Sequence, residues 1–166
     1  MSGFFCIFAK NLKQYKMEEK EIIITDEKLK KVIETIKKNC NDYLVVGSIA
    51  LNVCGLQLDR EPNDIDILVK CGIGQDSFFR ELDNMNREDT TASDAKCFKF
   101  KVCDVPINVW VVKELPTEYV MKDDIKYGTV MYILKEKLSY KREKDYKDLI
   151  TILSKMASLV NIEKKK

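Results

Sequence analysis

The stretch Tyr43-Leu-Val-Val-Gly-Ser48, followed sixteen residues after Gly47 by Asn63-Asp-Ile-Asp-Ile-Leu-Val69, decides how this chain is read. It predicts an apolar strand, a Gly-Ser turn into a helix, and a second strand carrying two carboxylates. Side chains alternate along a strand, so Asp64 and Asp66 point to one face while Ile65 and Ile67 point to the other. Their Cα atoms then sit roughly 6–7 Å apart. From that spacing two hard oxygen ligands converge on one Mg²⁺, or on a pair of ions about 4 Å apart. Two like charges in an otherwise Ile/Leu/Val strand repel each other unless a cation compensates them.

The turn supplies the other half of the pattern. Gly47 gives the backbone room, and Ser48 is expected to cap the helix Ile49-Ala-Leu-Asn-Val-Cys-Gly55. A helix N-terminus behind a Gly-Ser turn is a cradle for phosphate, because free N–H groups and the positive end of the dipole face it. Taken alone, Gly-Ser is an ordinary capped helix and the Asp pair an ordinary strand-end ion pair. In this order, between apolar strands, the two together point to handling of a nucleoside triphosphate.

The segment from Val45 through Arg60 to Val69, with its Gly47-Ser48 turn, Gly55 loop, Arg60 and Asp64-Ile-Asp66, resembles the signature of the DNA polymerase β-like nucleotidyltransferase superfamily. Within it the likeness is to the group holding toxin-type (AbiEii-like) and small minimal nucleotidyltransferases. Lys137-Leu-Ser-Tyr-Lys-Arg142-Glu-Lys-Asp145-Tyr-Lys-Asp148-Leu149 is similar to a helical stretch of that group. The likeness covers residues 43–150, with specific motifs at both ends and a weak middle.

The resemblance implies Gly47 and Ser48 at the triphosphate, and Asp64 and Asp66 on Mg²⁺ (or Mn²⁺). Arg60, Lys137 and Arg142 would neutralise phosphate or contact an acceptor. The acceptor itself could be tRNA, a partner protein or a small hydroxyl compound. The family's third carboxylate, which helps hold metal and serves as or near the general base, falls on the strand Pro106-Ile-Asn108-Val-Trp-Val-Val112, where the matching position is Asn108. An amide oxygen can ligate a metal but accepts no proton at neutral pH. Losing a general base costs roughly 10²–10⁴-fold, about 3–5 kcal/mol of barrier. Asn108 leaves three accounts open: a degenerate site that still binds nucleotide, an enzyme using another carboxylate such as Asp104, or a deliberate Asp-to-Asn block. Asn63 and Cys54 are milder departures from the family pattern.

Two function classes follow. One is a Mg²⁺-dependent enzyme moving a nucleoside monophosphate from an NTP to a hydroxyl. The other is a non-catalytic nucleotide- or partner-binding module, antitoxin-like or regulatory, that keeps the cleft. A purely structural helper fits poorly with two uncompensated like charges on one strand face.

Composition agrees with one small domain. The chain has 166 residues, 45% hydrophobic and 34% charged, enough for one sizeable core. A net charge of +2 is too small to argue for nucleic acid by itself. The Lys/Arg-rich stretch 135–147 is the one candidate basic surface, and on composition alone it reads better as a solvated helix face with pairs such as Lys141/Asp145. Six cysteines without Cys-x-x-Cys, and no histidine, give no support to zinc sites or Ser-His and Cys-His catalysis. All six read as buried or half-buried thiols of a reducing cytoplasm.

The apolar run at 3–9 lacks a preceding basic residue and is too short to span a membrane. Residues 1–16 are expected to be an extension, 17–160 the domain and 161–166 a basic tail. The expected fold is α/β (α+β): a small mixed β-sheet packed by helices, with helices at the C-terminal end. Asp26 is expected to cap a helix to 39 with Leu29, Val32, Ile33 and Ile36 on its inner stripe. Strands follow at 43–47 and 64–69 with a helix at 48–55 between them. Then come a short helix at 77–84 and a mobile loop at 85–95. A hairpin of strands at 97–102 and 107–112 turns at Asp104 and has Phe98, Phe100 and Val102 on the core face. Residues 118–128 are ambiguous. Helices at 129–141 and 144–158 complete the set, the second burying Leu149, Ile152, Leu153 and Met156. The oligomeric state is open.

Overall fold

A computed structural model describes residues 23–38, 40–70, 88–92 and 95–163. The helix expected at 77–84, the extension at 1–16, Cys6 and Cys71 lie outside the described residues.

The order of elements is α1 (Asp26–Lys37), β1 (Tyr43–Val46), α2 (Gly47–Val53), β2 (Ile65–Lys70), β3 (Glu88–Ala92), β4 (Ala95–Val102), β5 (Val105–Val112), β6 (Tyr119–Lys122), β7 (Ile125–Gly128), α3 (Val130–Tyr140) and α4 (Glu143–Glu163). The strands form one mixed sheet in the order β3-β4-β5-β2-β1-β7-β6. The fold is the expected mixed sheet covered by helices.

In α1 the cap is Thr25, not Asp26: the Thr25 hydroxyl accepts from the Lys28 N–H at 3.3 Å, and Asp26 and Glu27 sit in the first turn. Asp26 there meets the positive end of the helix dipole rather than the first free N–H groups. The stripe Leu29, Val32, Ile33 and Ile36 is buried as its spacing requires. It packs with Ile49 and Leu51 of α2, Ile133 of α3 and Leu149 and Ile152 of α4 against one sheet face. That face is built from Ile65, Ile67, Val69, Phe98, Phe100, Ile107 and Val109. On the opposite face Leu44, Val46 and Leu68 form a small cluster under Trp110, Val112 and Tyr132.

The β4–β5 and β6–β7 hairpins each turn on two residues with positive φ: Cys103 (51°) with Asp104 (63°), and Asp123 (50°) with Asp124 (61°). Such pairs match the strand twist of a two-residue hairpin. The second resolves the ambiguous segment 118–128 into β6 and β7. Its outer strand β6 is exposed throughout, so no alternation marks it in the sequence. Residues 88–92, expected in a loop, form the edge strand β3 paired only with β4. A polar edge strand is specified by its partner's free backbone groups rather than by buried side chains.

Three further corrections concern side chains. Leu153 is 55% exposed, whereas Leu149 and Ile152 are buried. Asp145 and Asp148 face inward to their cationic partners, and this rotates α4 so that Leu153 turns outward. Lys141 does not pair with Asp145. It ends α3 in the left-handed conformation with φ 54°, while Asp145 is taken by Arg142 and Lys137. Cys103 is exposed in its turn, while Cys40 and Cys97 are buried and Cys54 half-buried. The last helix, α4, continues to Glu163. Among the described residues no helix is long and apolar enough to cross a membrane.

Candidate active site

Register brings the first group of residues together. β2 runs antiparallel to β1 and parallel to β5, with Asp66 opposite Val46 on one side and Asn108 on the other. Asp64, one residue before β2, shares the face of Asp66. The Asn108 side-chain amide donates to Asp64 Oδ2 at 2.9 Å and to Asp66 Oδ1 at 2.9 Å. The two carboxylates therefore converge on one point, and the partial positive charge of an N–H₂ group sits there.

Gly47 closes the same point from the β1 side. Its φ is +71°, and a Cβ there would lie 2.6 Å from Asp66 Oδ2. Only glycine lets the turn approach the carboxylate this closely. The role expected of Ser48 as helix cap does not hold: Val46 is the cap residue of α2 and provides no side-chain bond. The Ser48 hydroxyl instead faces Arg60, whose Nη2 donates to it at 3.4 Å.

Ser48 thereby opens a second network. The same Arg60 Nη2 donates to Asp148 Oδ2 at 3.0 Å, and Lys137 Nζ donates to that oxygen at 2.6 Å. Lys137 Nζ also lies 3.6 Å from Asp145 Oδ1, and Arg142 binds Asp145 through Nε at 2.6 Å and Nη2 at 3.1 Å. Lys137, Asp145 and Asp148 are all buried. Lys137 is thus a structural cation at the α3–α4 joint, whereas Arg60 and Arg142 keep exposed surface towards solvent. Burial alone would raise the Asp145 and Asp148 carboxyls. Arg142 and Lys137 at Asp145, and Arg60 and Lys137 at Asp148, hold them below the ordinary carboxylate value instead.

The Asp66 carboxyl moves the other way. Burial first, then the neighbouring Asp64 charge, push it above the ordinary value of 3.8. Hydrogen bonds from Asn108 and Trp110 and the Lys144 charge act against that rise. Asp66 is a desolvated, repelled carboxylate whose best partner is a cation.

Trp110, Tyr140 and Lys144 complete the surroundings and were not singled out from the sequence. The Trp110 ring lies 6.4 Å from that of Tyr140, and the Arg142 guanidinium stands 5.0 Å over Tyr140. Burial pushes the Tyr140 hydroxyl up to about 12. Period-two reading from Asn108 would have placed Trp110 on the site face. Nothing in the sequence places Tyr140 or Lys144 there, because α3 and α4 meet the sheet only in three dimensions. Asp104 lies in the hairpin turn, four residues and roughly 13 Å of strand from Asn108. Among the described residues, no three His, Cys, Asp or Glu side chains gather to hold an ion, and the polar group between Asp64 and Asp66 is the Asn108 amide.

No protein-family model and no curated protein sequence matches the chain. Solved structures do. A candidate nucleotidyltransferase of Thermotoga maritima aligns over 90% of this chain and 99% of its own, with TM-score 0.52 and 14% identity. The solution structure of the antibiotic-resistance factor ANT(2'')-Ia aligns over 82% of this chain and 86% of its own, with TM-score 0.54 and 11% identity. The lincosamide antibiotic adenylyltransferase LnuA aligns over 80% of this chain and 99% of its own, with TM-score 0.50 and 15% identity.

The chain has the nucleotidyltransferase fold. At these identities the likeness is one of architecture. It bears out the fold that the resemblance of the sequence implied.

Proposed function

We propose that this protein is a divalent-cation-dependent nucleotidyltransferase that moves a nucleoside monophosphate from an NTP to a hydroxyl acceptor. One observation carries the reading: Asp64 and Asp66 converge on a point 2.9 Å from each, against a turn that only glycine can form. The fold shared with ANT(2'')-Ia and LnuA, named for adenylyl transfer to antibiotics, supports the same class.

Mg²⁺ or Mn²⁺ fits the donor set. Asp64 and Asp66 would hold it, and Asn108 would turn its amide to present Oδ1 in place of the N–H₂ group. The ion would neutralise charge gathering on the phosphates. Gly47 and Ser48 would receive the triphosphate tail, with Arg60 and Arg142 as its cationic partners. Lys137 would act through Asp145 and Asp148 by holding α3 and α4 in place. In the transfer, the acceptor oxygen bonds to the α-phosphorus as the bond to the pyrophosphate oxygen breaks. The hydroxyl proton leaves to solvent, because Asn108 cannot accept it. The toxin-type subgroup, and an acceptor such as tRNA, rest on the sequence resemblance alone.

Asn108 favours a second reading, nucleotide binding without turnover. Its amide satisfies both carboxylates without any metal. The two readings separate in one assay: α-labelled NTPs with Mg²⁺ or Mn²⁺ and total tRNA, run on the natural chain and on Asn108→Asp. Transfer by the natural chain establishes an enzyme. Transfer only after Asn108→Asp establishes a blocked site. Thermal protection by NTP without transfer in either leaves a binding module, and no protection at all overturns the nucleotide reading.

A further inference from the structure

One row of residues crosses the sheet through the site. Lys99 on β4 lies opposite Asn108 on β5, Asn108 opposite Asp66 on β2, and Asp66 opposite Val46 on β1, which precedes Gly47. Directly opposed residues project to the same face. Lys99 is therefore on the carboxylate face, two strands and roughly 10 Å from Asp66. Lys101, opposite Pro106, projects to that face as well, and both lysines are exposed. Arg60, Lys70, Lys137 and Arg142 are each paired with a carboxylate. Glu88 on β3 lies opposite Lys99 in the sheet, and among the described residues no carboxylate forms an ion pair with Lys101.

The carboxylates thus have two different flanks. On the β1 side is the Gly47–Ser48 turn, and on the β4 side are two ammonium groups about 6–7 Å apart along the strand. Glu88 of β3 lies opposite Lys99, and among the described residues no carboxylate opposes Lys101. Phosphoryl transfer needs the attacking and leaving oxygens roughly in line. With the triphosphate on the Gly47–Ser48 flank, the acceptor hydroxyl must reach the carboxylates from the β4 flank. A polyamine acceptor would meet like charge there, whereas an anionic one is drawn in.

We propose that Lys99 and Lys101 form the acceptor subsite and that the acceptor carries phosphate close to the hydroxyl that reacts. This rests on the β1 flank being the triphosphate side. The phosphate could belong to a nucleic-acid strand or to a small phosphomonoester, since both present the same anion to the two lysines.

The test measures binding by the full chain of a fluorescein-labelled ten-residue oligoribonucleotide with a free 3′-hydroxyl, and of ribose 5-phosphate by calorimetry. Lys99→Gln/Lys101→Gln is compared with Lys30→Gln/Lys122→Gln, which removes the same charge from a separate cavity between α1 and the β6–β7 hairpin. The first pair is expected to weaken oligonucleotide binding roughly tenfold and to reduce the salt slope by about 1.4, or 0.7 for each lost contact. The control pair changes binding less than about twofold. Binding of the oligonucleotide with weak ribose 5-phosphate binding assigns a nucleic-acid strand. Tight ribose 5-phosphate binding lost in the first pair assigns a monoester. Equal weakening by both pairs, or binding of neither probe, overturns the proposal. Thermal protection by ATP with Mn²⁺ is read on the same proteins. ATP protection without either phosphate probe sinks the acceptor subsite and spares the transfer reading, while the reverse sinks the transfer reading and with it the acceptor role, leaving only an anion-binding surface at Lys99 and Lys101.

Discussion

Replacing Asn108 by Asp should convert a self-satisfied site into one that needs a cation. The Asn108 amide makes two hydrogen bonds to carboxylates, at 2.9 Å each. Hydrogen bonds to charged groups contribute about 1.5–3 kcal/mol apiece. The substitution removes both and places a third carboxylate at the same point, where unit charges 4 Å apart repel by about 4 kcal/mol at an effective dielectric near 20. Uptake of a proton limits that cost, since holding a carboxyl protonated near pH 7 instead of pH 4 takes about 4 kcal/mol. A net loss of about 3–5 kcal/mol in the absence of metal follows. At roughly 2–4 °C per kcal/mol for a chain of this size, Tm falls by about 10 °C. The assay is thermal unfolding at pH 7.5 in EDTA, repeated at pH 5 and with Mn²⁺. The deficit should shrink at pH 5, where the cluster shares protons. Mn²⁺ should raise the Tm of Asn108→Asp more than that of the natural chain. A variant as stable as the natural chain in EDTA, or indifferent to Mn²⁺, would mean that residue 108 does not sit between the two aspartates.

Asp66→Asn should stabilise the metal-free protein by a few degrees near neutral pH while removing nucleotide protection. The folded state raises the Asp66 pKa above 3.8, so its contribution is fully present below that value and is lost as pH rises through the higher folded one. The advantage of Asp66→Asn should accordingly vanish towards pH 4 in a pH series of unfolding curves. Asp145→Asn leaves Lys137 and Arg142 short of a buried partner and should cost about 3–5 kcal/mol in urea unfolding. Asp145 and Asp148 have depressed pKa values, so their stabilisation is present above 3.8 and is lost on acidification through the lower folded values. The acid transition of Asp145→Asn should be correspondingly shallower. Gly47→Ala places a Cβ 2.6 Å from Asp66 Oδ2 at a φ of +71° and should cost about 2–4 kcal/mol. It should also abolish the Tm shift with ATP and Mn²⁺; an unchanged shift would remove Gly47 from the nucleotide site.

Much of this architecture was legible in local spacing. The period-two pattern of residues 64–69 and 97–102 sorted side chains onto the correct faces, and the 3.6-residue stripe of α1 identified Leu29, Val32, Ile33 and Ile36 as core. The pairing of Asp64 and Asp66 on one face needed nothing beyond strand geometry. The element borders at Thr25 and Val46 escaped because a cap depends on which φ turns first, not on which residue has a suitable side chain.

What only the tertiary structure decided is who stands opposite whom. That Asn108 bridges both aspartates, and that Lys99 continues the row, depends on the parallel β2–β5 pairing and the antiparallel β4–β5 pairing across gaps of about forty residues and nine residues respectively. The assignment of Lys137 to buried Asp145 and Asp148 depends on how α3 meets α4, whereas Arg142 meets Asp145 three residues further along the chain. Sequence alone specified residue types and their faces, since those follow from the repeat of a strand or helix. Distances between residues far apart in the chain, and with them the charge each aspartate feels, come from sheet register and helix packing, which no local period encodes.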